Sequence, residues 1–249
     1  MSRGFRPGAT LVGSIYPVRA LGSGARRPDP ARILRHTDPM SPSSLPEPAR
    51  AARPVPAILA RLRAETRPRH EALERVLDLL DPGLTLARYR AWLVTLRAFH
   101  APMERRIGAV EGWAGLGIDP AERTRLAWLD ADLVTLGVAP ATAAPDASDE
   151  ADLPPVRTLS EALGCLYVLE GATLGGRVLL GHLEATLGLG PLNGARTFAG
   201  YGTRTGAMWA ACRRALERHV ADGGDADALV AGANATFASL AGRVEASRR

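Results

Sequence analysis

The segment Gly164-Cys165-Leu166-Tyr167-Val168-Leu169-Glu170-Gly171-Ala172-Thr173-Leu174-Gly175-Gly176-Arg177-Val178-Leu179-Leu180 has the apolar content of a buried helix, yet glycine interrupts it repeatedly. A helix-interior glycine costs about 1 kcal/mol relative to alanine, so Gly164, Gly171, Gly175 and Gly176 together forfeit roughly 3 to 4 kcal/mol. A fold that tolerates this loss must offset it by bringing something close to bare backbone. At about 100° per residue, Gly164, Gly171 and Gly175 fall along one side of the helix. Two occupants suit such a face: a neighbouring helix packed through small residues, or a flat ligand.

The rest of the chain supplies a helical setting. Its 249 residues, 46% hydrophobic, suffice for one sizeable core. From Pro56 onward apolar residues recur at three, four and seven, as in Leu59, Leu62, Leu73, Leu77 and Leu80, with Pro82-Gly83 as a stop. Pro68 implies either a kinked helix from about 57 to 80 or a second start capped by Thr66. Further helices are predicted at 89–110, bent by Pro102, at 120–136, at 160–187 with Thr158 or Ser160 as cap, at 207–221 and at 225–247. An exposed Ala/Pro/Asp-rich connection is expected at 139–155 and an irregular stretch at 188–206. Alternation at period two is absent, so the fold class is all-α, a single multi-helix domain over residues 54–249.

Residues 1–53 are rich in Pro, Gly, Ser, Ala and Arg and read as a disordered basic extension. Nine arginines face Asp29, Asp38 and Glu47 there, giving +6, which leaves −1 of the chain's +5 for the body. A near-neutral body argues against a nucleic-acid surface. No uninterrupted apolar run approaches the ~20 residues of a membrane helix, so no membrane partner is expected. Cys165 and Cys212 form no CxxC pair and read as free, buried thiols of a cytoplasmic protein.

His70 gives the glycine segment a counterpart. Arg63, Thr66, His70 and Glu74 stand at intervals of three and four, a polar stripe beside the leucines. Imidazole is the commonest metal ligand, and Glu74, one turn on, is placed to orient it. A solvated helix face with an ordinary histidine is the alternative. His36, His100, His182 and His219 complete no HExxH or ExxH pattern, and neither a GxSxG elbow nor a GxxxxGK[ST] loop occurs. One histidine on an early helix and a glycine-softened later helix together describe two walls of a slot for a flat, metal-bearing macrocycle, a haem pocket. Arginines at its mouth would pair with propionates.

Two segments carry a family resemblance. Leu62-Arg63-Ala64-Glu65-Thr66-Arg67-Pro68-Arg69-His70-Glu71-Ala72-Leu73-Glu74 resembles the proximal helix of the biliverdin-producing haem oxygenases, and Leu166-Tyr167-Val168-Leu169-Glu170-Gly171-Ala172-Thr173-Leu174-Gly175-Gly176 resembles their distal helix. The bacterial members associated with bacteriophytochromes are most similar, over about residues 57–245. The resemblance implies His70 as axial iron ligand, with Glu74 and Thr66 beside it. It implies Gly171 and Gly175 along the distal face, Arg63 near one propionate, and Tyr201 or Arg204 near the other. Better-studied members carry an aspartate where this chain has Ala172, and that carboxylate holds the water network that delivers protons during turnover. Thr173, His100 or backbone carbonyls are the expected replacements. The implied activity is cleavage of haem, substrate and cofactor at once, to biliverdin, CO and iron with O2. Electrons would come from a separate ferredoxin or flavoprotein reductase, and a bacteriophytochrome could receive the product. A haem- or bilin-binding protein without oxygenation is the rival, and an all-helical interaction domain without a tetrapyrrole is a third reading.

Overall fold

The computed structural model describes residues 56–139 and 152–248. The extension 1–53 and most of the 139–155 connection lie outside the described residues. Helix α1 spans Ala57–Leu77, α2 Leu86–Gly108, α3 Trp113–Leu116, α4 Leu126–Thr135 and α5 Leu159–Leu187. The short α6 at Arg196–Ala199 leads to α7 at Thr205–Ala221 and α8 at Ala226–Ala246. Single 3₁₀ turns at Pro120–Arg123 and Gly202–Arg204 precede α4 and α7, and no strand occurs among the described residues.

Local chemistry accounts for the boundaries. Helix α1 runs unbroken through Pro68, and Thr66, rather than capping a second start, donates its hydroxyl to the Leu62 carbonyl at 2.7 Å. The helix stops at Asp78, which adopts a left-handed conformation with φ of 46°. Thr85 caps α2 by accepting from Arg88 N at 3.2 Å. Helix α5 begins with a reciprocal capping box: Thr158 Oγ1 accepts from Glu161 N, and Glu161 Oε2 accepts from Thr158 N.

Three sequence expectations are corrected. The helix predicted at 120–136 is two elements, because Thr124 is extended (φ −76°, ψ 149°) and separates the 3₁₀ turn from α4. The stretch 188–206 contains α6, whose first amides, Arg196 N and Thr197 N, donate to the buried Asp132 carboxylate at 2.6 and 2.8 Å. The end of the 139–155 connection is anchored: Leu153 is buried, and Arg106 donates to the Pro154 carbonyl at 3.1 Å.

Helix α5 is the centre of the packing, with α8 along one side and α7 and α6 against others, while α8 also covers α1. A Cβ on Gly164 would sit 2.0 Å from the Leu229 carbonyl oxygen of α8, and one on Gly232 of α8 would sit 2.6 Å from the Glu161 carbonyl oxygen of α5. Reciprocal glycines therefore let the two backbones touch, so Gly164 serves a neighbouring helix and not a ligand. By length and composition α5 is apolar enough to cross a bilayer, but 72% of its most apolar window is buried inside the fold. Cys165 and Cys212 are free and buried.

Candidate functional site

A cavity opens among α1, α2, α5, α6 and α8, enclosing about 950 Å³ of atom-free space counted to its open mouth. Its wall is largely apolar: Leu73 and Leu77 from α1, Trp92 and Leu96 from α2, Leu179 from α5, Phe198 from α6 and Phe237 from α8. Such a lining suits a mostly apolar ligand fixed by a few polar groups.

His70 and Glu74 supply the polar part of the α1 wall. His70 is 6% exposed and its ring meets Phe237 edge-on at 5.5 Å. Burial holds its pKa below the ordinary 6.5, against the opposing charge of Glu71. Burial, reinforced by Glu71, pushes the Glu74 carboxyl up to about 7. Both shifts favour uncharged forms, and the 3.7 Å between His70 Nδ1 and Glu74 Oε1 exceeds a hydrogen bond. The pair is thus a neutral imidazole beside a readily protonated acid, not an ion pair. Neutral imidazole is the metal-ligating form.

Besides Leu179, α5 contributes Val168, Leu169, Ala172, Thr173, Gly175 and Gly176 to the wall. Ala172 is exposed within it, whereas the Thr173 hydroxyl donates back to the Glu170 carbonyl at 2.6 Å. Gly176 also meets α6: a Cβ there would lie 2.0 Å from the Phe198 carbonyl oxygen. Gly171 is buried and is not part of the cavity wall.

A charged cluster borders this wall. His100 of α2 lines the cavity, is 4% exposed, and places Nδ1 3.0 Å from Glu104 Oε1. Its pKa is lowered by burial and, more weakly, by the charge of Arg125, against the Glu104 hydrogen bond. The Glu104 carboxylate also accepts from the backbone N of Arg125 at 2.7 Å and of Leu126 at 3.4 Å. Arg125 lines the cavity as well, and its guanidinium donates to the Leu169 carbonyl of α5. Sequence reading missed Arg125. It lies in the break between two helical elements, two residues from Arg123, and nothing in the spacing separates it from a solvated arginine.

The remaining site residues are dispersed. Arg63, seven residues before His70 on the same helix, is half-buried and Thr66 is fully buried, both outside the cavity wall. Tyr201 is buried, but its hydroxyl donates to Glu170 Oε1 at 2.5 Å and its ring abuts Trp128, so it does not face the cavity. Its phenol is held well above the ordinary range by burial and by the Glu170 charge. Glu170 also receives Arg123 Nη1 at 2.8 Å. Arg204 is exposed in the 3₁₀ turn. The structure therefore brings together His70, Glu74, His100, Ala172, Thr173 and Gly175, and leaves Arg63, Thr66, Gly171, Tyr201 and Arg204 outside the cavity wall.

The chain superimposes on the structure of the NO- and CO-bound heme oxygenase from Neisseria meningitidis with a TM-score of 0.63 at 22% identity, covering 76% of this chain and 91% of that one. That likeness establishes the shared helical fold. A comparison with curated proteins gives no significant match. The heme oxygenase family model matches residues 57–245, from the first residue of α1 to within one residue of the end of α8. The chain belongs to the haem oxygenase family.

Proposed function

We propose that this chain binds haem in the cavity as its substrate and cleaves it oxidatively to biliverdin, CO and iron, drawing electrons from a separate ferredoxin or flavoprotein. One observation carries the reading: His70 on α1 and the Ala172–Gly176 turn on α5, over a hundred residues apart in sequence, line the same cavity. Haem supplies the iron and the redox chemistry when bound. The residues present fit it. The apolar wall accepts the macrocycle, and a buried imidazole kept neutral by desolvation offers the nitrogen lone pair that iron needs.

In this reading the His70 imidazole would hold the haem iron, with the Glu74 carboxyl, pushed up to about 7 by burial, beside it on the same wall. Gly175 keeps a side chain out of the opposite face, so the ring is held close to backbone, while Gly176 lets α6 with Phe198 close against the same helix. Arg63 and Arg204, outside the wall, are the proposed propionate contacts, with Tyr201 supporting through Glu170. Proton delivery falls to the His100, Glu104 and Thr173 side, because Ala172 has no group to hold water. A bilin-accepting photoreceptor of the bacteriophytochrome kind is the proposed recipient of the product.

A second reading rests on the same alanine: without a carboxylate at position 172, the cavity holds haem or bilin but does not cleave it. Titration of haem into the purified protein distinguishes the cases. A sharp Soret band is expected, and its absence eliminates both. Reductant and O2 are then added; appearance of biliverdin supports the enzyme, and persistence of intact haem supports the binding protein.

A further inference from the structure

Two arginines, Arg123 and Arg125, enter the interior from the same break between helices, and their surroundings differ. Arg123 is 7% exposed and is neutralised by Glu170 at 2.8 Å. Arg125 is 6% exposed, yet among the described residues no carboxylate forms an ion pair with its guanidinium. The one acceptor it has is the Leu169 main-chain oxygen, and its Nε is buried without a partner. Glu104, the acid nearest in the network, accepts from the Arg125 backbone amide and lies against His100, so it positions the residue without pairing with its charge. Burying a cation without a counter-charge costs several kcal/mol. Arg125, unlike Arg123, is among the residues that line the cavity.

We propose that Arg125, positioned by Glu104, forms an anion-binding subsite in the cavity wall between α2 and α5, which takes a small anionic ligand held against the haem iron. This rests on haem occupying the cavity as proposed above. The anion supplies the missing counter-charge, and the guanidinium supplies charge-assisted donors where Ala172 supplies none. His100, whose Nδ1 faces Glu104, borders the same subsite. Positive charge at this wall is thus delivered from the loop before α4, not from α5 itself.

Fluoride is a suitable probe, since it binds ferric haem weakly unless a donor meets it. Its dissociation constant is measured optically on the ferric haem complexes of wild type, Arg125→Lys and Arg125→Gln. Glutamine can still donate to the Leu169 carbonyl and so preserves the fold, while lysine preserves the charge. Loss of one hydrogen bond to a charged group corresponds to a weakening of about 10- to 100-fold. Arg125→Gln is expected to weaken fluoride by about that factor, Arg125→Lys by much less, with haem affinity and helicity near wild type. Fluoride affinity within twofold of wild type in haem-bound Arg125→Gln overturns the proposal. So does a fall in haem affinity that disappears when haem dimethyl ester replaces haem, which would assign the guanidinium to a propionate. Failure of wild type to give a Soret band refutes haem binding itself and is a different result.

Discussion

Gly176 and Gly181 stand five residues apart on α5, and the structure assigns their replacement by alanine opposite signs. At Gly181 a Cβ would meet nothing within 4 Å. Alanine there gains only helix propensity, about 1 kcal/mol. At Gly176 the same Cβ would lie 2.0 Å from the Phe198 carbonyl oxygen and 3.1 Å from its carbon. Carbon-to-oxygen contacts settle at about 3.3–3.6 Å, so α6 must withdraw by more than about 1 Å. It is not free to do so. Asp132 accepts from Arg196 N and Thr197 N, the Tyr89 hydroxyl donates to the Gly194 carbonyl at 2.8 Å, and Phe198 stacks on Trp92 at 5.4 Å.

Withdrawal of α6 breaks at least one bond to the buried Asp132, worth about 1.5–3 kcal/mol, on top of about 1–3 kcal/mol of overpacking. Subtracting the propensity gain leaves Gly176→Ala less stable by about 3 kcal/mol. In a domain of this size each kcal/mol moves the melting temperature by about 2–4 °C, so a fall of about 6–12 °C is expected, against a rise of about 2–4 °C for Gly181→Ala. Thermal unfolding followed by circular dichroism measures both. Because Phe198 lines the cavity, Gly176→Ala is also expected to weaken haem retention. A Gly176→Ala protein as stable as wild type would refute the argument that this glycine is fixed by contact with backbone.

Other perturbations test other parts of the structure. Replacing Glu170 by Gln removes the counter-charge of buried Arg123 and weakens the Tyr201 bond; a loss of about 3 kcal/mol is expected in urea unfolding, and less than 1 kcal/mol would contradict the ion pair's role. Burial lowers the His100 pKa, so the unfolded chain takes up this proton near pH 6.5 while the folded chain does not. The stability this provides is complete above pH 6.5 and declines as pH falls toward the folded value, by up to about 1.4 kcal/mol per unit. His100→Asn should therefore flatten the dependence of unfolding free energy on pH between 7 and 5, and parallel curves for the two proteins would dismiss the assignment. His70→Ala is expected to abolish the axial bond while the helical content persists, as read from the haem spectrum and circular dichroism; unaltered iron ligation would place the ligand elsewhere. Ala172→Asp should change turnover little if protons pass through the His100 side, and a large rate gain would mean that no such route operates.

Much of this was legible in the sequence wherever a residue's role depended on its own helix. Leucine spacing located α1, the capping residues located α5, and the stripe through His70 and Glu74 placed both on one face. Roles set by a partner distant in sequence were not legible. Asp130 and Asp132 are both acids on α4, yet Asp130 meets Arg97 near the surface while Asp132, 1% exposed, caps α6 from sixty-four residues away. Gly164 and Gly175 share a helical side and look alike in sequence, but α8 covers the first and the cavity borders the second. Position in the chain suggests Tyr201 near a propionate and says nothing of its partner Glu170, whose one oxygen accepts from the Tyr201 hydroxyl while the other meets Arg123.

The same distinction bears on the chemistry of the site. A motif confined to α5 leaves Ala172 as an unexplained deficit, since the helix offers no other ionisable group to the cavity. The tertiary structure alters that view by bringing His100 from α2 and Arg125 from the loop before α4 to the same wall, with Glu104 of α2 joining them. These groups are tied together by a carboxylate that accepts two backbone amides, so their geometry is set by the fold and does not depend on a long side chain finding its rotamer. A carboxylate on α5 would attract waters through negative charge, whereas this wall presents a cation and an imidazole. Its preference should accordingly be for anions over neutral ligands, and that preference, not the mere presence of haem, is the property by which the site differs from one built around an aspartate.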